Sequence, residues 1–317
     1  MKFKKPKFWD YKKPSVFSFF LQIFTVPLII NNYLRELKDN KSVTRDYSIK
    51  TVCVGNIYLG GTGKTPSAIK ISQILNDLKY STIFVKKHRI ETLDEERLLK
   101  KYGKVLVSSK RNDSLIEANK SSHVAIFDDG LQDSSINYDL TFVCFNTEAF
   151  IGNGMLIPAG PLREKIDSLK KYDGVILNGK STNLENAIIQ IKKHNNDIKI
   201  FESSYDFTNL DHLNKDDSYV AFAGIGFPKN FYETLIENKI NIVKFLEFPD
   251  HYKYKPKDIE KIVNISKDLN AKIITTEKDY ERIQEYNYPN IENIKYLKIE
   301  LKIKNQDNLI SFLKESL

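Results

Sequence analysis

Gly60, Gly61, Thr62, Gly63, Lys64 and Thr65 stand together in the segment Gly55-Asn56-Ile57-Tyr58-Leu59-Gly60-Gly61-Thr62-Gly63-Lys64-Thr65-Pro66. Glycines let backbone N–H groups turn inward around phosphate oxygens, and the N-terminus of a following helix adds partial positive charge. Lys64 has the reach for β- and γ-phosphates, and the Thr65 hydroxyl can hold Mg²⁺. These residues are the candidate nucleotide site, with ATP and Mg²⁺ as the expected ligands. The usual spacing asks for a glycine five residues before Gly63, where Tyr58 sits instead. Gly60 and Gly61 supply the flexibility. An ordinary glycine-rich turn is the competing reading, and the adjoining Gly-Lys-Thr argues against it.

His123 to Gly130 reads as an apolar strand ending in Asp128 and Asp129. In phosphate-loop proteins such a strand lies beside the loop and presents a carboxylate to Mg²⁺, a cation that prefers hard oxygen ligands. Adjacent strand residues alternate in direction, so the two acids should do different work. Leu156 to Glu164 contains Pro158 and Pro161, which stiffen a loop carrying Arg163. The planar fork of arginine suits phosphate recognition, although a structural turn reads the same way. Phe248-Pro249-Asp250-His251-Tyr252 sets a histidine beside an acid, able to accept a proton or to hold one in place. Thr275-Thr276-Glu277-Lys278-Asp279 closes a strand with charged groups, or caps a helix. Asp94-Glu95-Glu96 opens a helical pattern, where acids complement the helix dipole.

These side chains need a frame. The apolar run Ile49–Val54 precedes the glycine loop, and Ile69, Ile74, Leu75 and Leu78 follow at helical spacing. Further strands are expected at Thr82–Val85, Val105–Val107, Val124–Phe127, Leu140–Phe145 and Gly174–Leu177, with helical patterns between several of them. That alternation predicts an α/β fold, a parallel sheet of the P-loop NTPase kind wrapped by helices. Asn178–Asn183 and Asp206–Asp217 are polar and read as connections. A second, smaller α/β unit is expected from strand Tyr219–Ala223, helix Asn230–Glu237, strand Ile242–Phe245, helix Lys257–Leu269 and strand Lys272–Thr275. The expected domains are residues 1–37, 38–210 and 211–317, with a linker at Lys38–Asp46.

The 317 residues carry a net charge of +8. Such a balance suits an anionic surface or substrate. There is no arginine-rich run or aromatic-basic repeat, so nucleic acid is the least favoured partner. Cys53 and Cys144 fall inside expected strands and read as small buried hydrophobes. At the amino terminus, Lys2, Lys4, Lys5, Lys7, Lys12 and Lys13 surround Phe8, Trp9 and Tyr11, ahead of an apolar run from Val16 to Ile30. Phe17, Phe20, Leu21, Phe24 and Leu28 share one helical face, and Ser18, Gln22 and Thr25 the other. An amphipathic helix with a basic, aromatic flank fits a cytoplasmic membrane interface. Packing on the protein's own core, or a single span extended to Leu34, are the alternatives.

Taken in order, these segments resemble the tetraacyldisaccharide 4′-kinase family, the lipid A 4′-kinases of Gram-negative bacteria. The resemblance rests on Gly55–Pro66, on Asp128-Asp129-Gly130-x-Gln132, on Pro158–Glu164, on Phe222–Pro228, on Phe248–His251 and on Thr275–Asp279. It implies a monotopic inner-membrane enzyme on the cytoplasmic face. Such enzymes transfer the ATP γ-phosphate to the 4′-hydroxyl of tetraacyldisaccharide 1-phosphate, giving lipid IVA. The lipid and the membrane surface are the implied partners, and no obligate protein partner is expected. The resemblance makes Asp94 the base and His251 its partner, in a cleft where the domain of residues 38–210 faces that of residues 211–317. Asp129 and Arg163 complete the catalytic set, and Thr65, Asp128 and Glu95 are the candidate metal ligands. One segment departs from the family: Val85-Lys86-Lys87-His88-Arg89 replaces a Ser-Arg-Gly-Tyr-Gly-like stretch, and Leu93 stands where a glycine precedes the acidic pair. A membrane-associated ATPase switch acting on a protein partner, and a soluble small-molecule kinase, are the competing functions.

Overall fold

A computed structural model describes residues 5–39, 47–89, 92–179, 181–284 and 291–317. The expected linker lies mostly outside the described residues, as do Lys2 and Lys4. The chain opens with helix α1 (Val16–Leu21), a 3-10 turn over Gln22–Thr25 and helix α2 (Val26–Asp39). It continues through β1 (Lys50–Gly55), α3 (Lys64–Asp77), β2 (Thr82–Lys87), α4 (Leu93–Lys100), β3 (Val105–Ser108), α5 (Arg111–Ala118), β4 (Val124–Asp128) and β5 (Leu140–Asn146). Then come β6 (Gly174–Asn178), α6 (Ser181–His194), β7 (Lys199–Phe207), β8 (Ser218–Ala223), α7 (Pro228–Glu237), β9 (Asn241–Glu247) and α8 (Pro256–Asp268). The chain closes with β10 (Lys272–Thr276), α9 (Glu277–Ile283), β11 (Ile294–Leu297), β12 (Ile299–Ile303) and α10 (Gln306–Ser316).

Two compact units result, one of 5–88, 102–205 and 301–317, the other of 89–101 and 206–300. The larger unit is built on an eight-stranded sheet ordered β12-β7-β6-β5-β1-β4-β2-β3. The pairings from β7 through to β3 are parallel. Its inner strands read as unbroken apolar runs because helices cover both faces. Val52, Val54, Phe127, Val143 and Val175 are fully buried, as are Cys53 and Cys144. β1 lies between β4 and β5, so the loop after β1 and the acids after β4 emerge side by side at the carboxyl ends of the strands. Ligands collect at that edge in open α/β sheets.

The smaller unit holds the four-stranded sheet β11-β10-β8-β9, also parallel. Its two faces are filled by separate apolar clusters, around Tyr219, Ala221 and Leu235 on one side and Phe222, Tyr254 and Ile262 on the other.

The division differs from the linear one in three places. α4 groups with the smaller unit, where it packs on α9 and Arg97 Nη1 donates to the Glu281 carbonyl at 3.1 Å. The last segment returns to the larger sheet as edge strand β12, and α10 brings Phe312 against Phe142 and Phe201 with ring centroids 6.0 and 5.5 Å apart. α1 and α2 belong to the larger unit rather than standing apart. The polar stretch Asn178–Asn183 also differs from expectation, because α6 begins at Ser181.

Candidate active site

In the larger unit the glycine loop is held from within. Asn56 Nδ2 donates to Thr62 Oγ1 at 2.9 Å and to the Gly60 carbonyl at 3.2 Å. Gly63 has φ +89°, and a Cβ there would meet Tyr205 Oη at 2.5 Å, so both conformation and space require glycine. Lys64 and Thr65 then open α3, directly at its positive end.

Asp128 closes β4 beneath the loop. Its Oδ2 accepts from Thr65 Oγ1 at 2.9 Å and from Lys86 Nζ at 2.6 Å. Asp128 Oδ1 is buried with no hydrogen-bond partner among the described residues. A buried carboxylate oxygen left open beside a threonine hydroxyl is a donor set that fits a hard divalent cation. Among the described residues no cluster of three or more His, Cys, Asp or Glu has metal-binding geometry. A site here would therefore complete its coordination with ligand oxygens and water, as Mg²⁺ ordinarily does.

Asp129 turns the other way, in a left-handed conformation with φ +62°. Its Oδ1 accepts from Arg163 Nη1 at 2.9 Å and lies 3.9 Å from Lys64 Nζ. Gln132 Oε1 accepts from the same Arg163 nitrogen at 3.2 Å, while Gln132 Nε2 donates to the Asn56 carbonyl at 2.9 Å and to Glu164 Oε1 at 3.1 Å. The proline-stiffened segment is tied to the loop backbone, with Arg163 N donating to the Ile57 carbonyl at 2.7 Å and Leu59 N to the Pro161 carbonyl at 2.8 Å. Loop, acids and arginine form one connected framework.

The amino-terminal helices reach that framework. Asn32 Nδ2 donates to the Arg163 carbonyl at 2.9 Å, and Arg35 Nη1 to the Gln132 carbonyl at 3.0 Å. Ser18 accepts from Asn153 Nδ2 at 3.1 Å, and Thr25 is buried. Ser18, Thr25 and Asn32 recur every seven residues, so a polar seam faces the protein. The phenylalanines point away, with Phe20 69% exposed and Phe24 65%; against the expected division of faces, Leu21 and Leu28 are partly buried on the side of the seam and Gln22 is exposed. Packing of the apolar face on the protein's own core, one of the sequence alternatives, is thus not what occurs. Val16–Arg35 is 20 residues of mean hydropathy 1.4, enough in length and composition to cross a membrane.

In the smaller unit the second set comes together. Asp94 is buried at the start of α4, and its Oδ2 accepts from Arg282 Nε at 2.9 Å and Nη2 at 2.7 Å. Lys278 Nζ lies 3.7 Å from the same oxygen and donates to Glu95 Oε1 at 2.9 Å. His251 Nδ1 is 3.5 Å from Asp94 Oδ2, and its Nε2 is 3.9 Å from Glu95 Oε1. His251 has φ +53°, an uncommon conformation for a residue with a side chain. Burial alone would push the Asp94 carboxyl up. Lys278, the neighbouring His251 and the Arg282 guanidinium overturn that and hold it well below the usual carboxylate range. Burial opposes the charge on Lys278 in turn, and the Glu95 and Asp94 carboxylates raise it above its ordinary value.

Asp94 and His251, matched by resemblance from distant parts of the chain, are therefore neighbours within one unit rather than contributed by separate domains. Glu95 belongs to the smaller unit, where it pairs with Lys278, and Thr65 and Asp128 belong to the larger. Thr276 caps α9 by accepting from Asp279 N at 3.1 Å, as one reading of that motif required. The same motif also supplies Lys278 to the acidic pair. Sequence reasoning missed Lys86 and Arg282. Lys86 carried a faint signal, as a lysine directly after the apolar run Thr82–Val85. Arg282 carried none, lying in a helix that sequence reading did not delimit.

The family described as Tetraacyldisaccharide-1-P 4'-kinase has a model that matches residues 17–317. The tetraacyldisaccharide 4'-kinase of Pelagibacter ubique (strain HTCC1062) is 47% identical over 314 residues, covering 99% of this chain and 98% of that protein. The same-named protein of Rickettsia akari (strain Hartford) is 31% identical over 322 residues, covering 96% and 94%. Among solved structures, the "apo" form of LpxK from Aquifex aeolicus in complex with ATP matches with a TM-score of 0.71 and 21% identity, covering 95% of this chain and 99% of that one. At that identity the likeness concerns the fold.

Proposed function

We propose, for a chain that belongs to the tetraacyldisaccharide-1-P 4'-kinase family, how its own residues carry the reaction. The enzyme is a lipid kinase: it uses ATP to phosphorylate the 4′-hydroxyl of a tetraacyldisaccharide 1-phosphate in lipid A biosynthesis. The glycine loop and the N-terminus of α3 cradle the nucleotide phosphates, and Lys64 neutralises the β- and γ-oxygens. Thr65 and Asp128 would hold Mg²⁺, which when bound would supply positive charge to the phosphates. Arg163, fixed by Asp129 and Gln132, presents its planar fork to the transferring phosphoryl group. Asp129 thereby positions Arg163 and Lys64 rather than binding metal itself.

On the acceptor side, Asp94 takes the proton of the sugar hydroxyl. Its carboxylate is ionised at neutral pH and only weakly basic. Proton transfer therefore follows the breaking of the donor P–O bond, consistent with a loose phosphoryl-transfer transition state. His251 and Lys278 hold Asp94 in place and stabilise its charge, and Glu95 keeps Lys278 oriented.

The outward apolar face of α1 and α2 lies in a membrane interface and brings the enzyme to its lipid. The seven-residue polar seam runs along the protein from Ser18 to Asn32. A helix tied to its own protein along that length lies on a membrane rather than crossing it alone. The cytoplasmic face of the inner membrane is the place where ATP and such a lipid meet.

The observation that carries the reading is the open Asp128 oxygen beside Thr65, at the foot of a glycine loop whose following helix begins with Lys64. Mass spectrometry of purified tetraacyldisaccharide 1-phosphate incubated with the protein, ATP and Mg²⁺ tests it. A lipid gaining one phosphate is expected. ATP hydrolysis without phosphorylated lipid would favour the membrane-associated ATPase switch instead.

A further inference from the structure

Lys86 lies near the end of β2, and it fills a role that no motif announced. Its ammonium lies 2.6 Å from Asp128 Oδ2, with the two side chains 5% and 0% exposed. Thr65 donates to the same oxygen, and Asp128 Oδ1 has no hydrogen-bond partner among the described residues. The carboxylate is thus divided: one oxygen is saturated by a cation and a hydroxyl, the other is open.

A buried carboxylate with no counter-charge is costly, and it escapes by protonation or by capturing a cation. Lys86 removes that need. Among the described residues, the ion pairs around the loop join three cations, Lys64, Lys86 and Arg163, to two carboxylates, Asp128 and Asp129. A divalent ion approaching Asp128 then meets the Lys86 ammonium at close range. Nucleotide phosphates reverse the balance and admit the dication.

We propose that Lys86 is an internal counter-ion that makes Mg²⁺ binding at Asp128 conditional on bound nucleotide. The proposal rests on the assignment of Asp128 to the metal given above. It makes Lys86 a positioning residue: the ammonium fixes the carboxylate with one oxygen open, and it keeps free Mg²⁺ out of an empty site.

The test is titration of nucleotide-free protein with Mg²⁺ alone, followed by calorimetry and by thermal unfolding. Wild type should show no saturable site at millimolar Mg²⁺ and no rise in Tm. Lys86→Met should bind Mg²⁺ at least about tenfold more tightly, as expected when a like charge is removed at close range in a partly buried site. Its Tm should rise with Mg²⁺, and Lys86→Arg should behave as wild type. A saturable millimolar Mg²⁺ site in nucleotide-free wild type would overturn the proposal, and that measurement needs no variant to fold. Equal Mg²⁺ affinity in Lys86→Met and wild type would overturn it too. The metal assignment fails in a different way. If the gain in Lys86→Met persists after Asp128→Asn is added, the ion sits elsewhere and the reading of Asp128 falls, while the effect of Lys86 stands.

Discussion

Two buried carboxylates, one in each unit, are both paired with cations, and the pairings are of opposite kinds. Asp128 shares one oxygen between Lys86 and Thr65 and leaves the other open. Asp94 has two Arg282 nitrogens on a single oxygen, with Lys278 and His251 close to it. The first arrangement holds a ligand position in reserve. The second drives the carboxyl to permanent ionisation and fixes its orientation from three elements, α4, α9 and the His251 loop. An open oxygen suits metal coordination. A crowded, pre-oriented one suits a group that must stay charged and wait for a substrate hydroxyl.

The comparison breaks first at the nucleotide. Lys64→Ala should lower kcat by about a thousandfold, since the charge on the β- and γ-phosphates contributes several kcal/mol to phosphoryl transfer. Turnover within a few-fold of wild type would remove the larger unit from the chemistry. Next in size is the acid–histidine pair. Asp94→Asn should lower kcat by about a hundredfold or more. His251→Ala should lower it less, and the double variant should be little worse than Asp94→Asn, because residues that act as one unit do not lose activity independently. Multiplicative losses in steady-state kinetics would separate the two roles.

The electrostatic contrast sharpens in acid. The folded Asp94 carboxyl titrates below its unfolded value, which is about 3.9. Its contribution to stability is therefore complete above that value and is lost as pH falls through the folded one. Asp94→Asn should destabilise the protein by about 2 kcal/mol near neutrality, less than a fully broken buried pair because Asp279 and Glu95 still partner Arg282 and Lys278. Urea unfolding from pH 8 downward should show this gap unchanged to about pH 4 and shrinking only below it. A gap that closes between pH 7 and pH 5 would contradict the ionised state of Asp94.

The smallest effect on the fold is expected at the apolar face of α1 and α2. Phe20→Ser with Phe24→Ser should leave stability within about 0.5 kcal/mol, because both rings are exposed. Membrane partition should nevertheless weaken by at least about tenfold in vesicle sedimentation. The KM for lipid should rise more than the KM for ATP. Unchanged sedimentation would assign membrane attachment to another surface.

Legibility followed the range of the interactions. The glycine loop, Lys64 and Thr65 were readable because strand, turn and helix start are consecutive, so local backbone geometry sets their positions. Asp128 was readable because it ends an apolar strand; that Asp129 points elsewhere was expected too, but a left-handed turn after the strand, not alternation along it, sends it there. The amphipathic pattern of Val16–Ile30 was readable too. Its direction was not: only packing shows that Ser18, Thr25 and Asn32 face the protein and the phenylalanines face out. Asp94 and His251 were matched through family resemblance, and the residues around them give no spacing rule that joins positions so far apart.

The sequence by itself determined the parallel α/β architecture, the phosphate loop and the acids beside it, since period, turn chemistry and helix dipoles act over a few residues. Tertiary structure alone decided that α4 joins the smaller unit, that β12 and α10 return to the larger sheet, and which cation meets which carboxylate. Lys86 reaches Asp128 across the β2–β4 pairing, and Arg282 reaches Asp94 between helices almost two hundred residues apart in the chain. Such pairings depend on strand order and helix packing, which the burial of the whole chain fixes and no local pattern encodes.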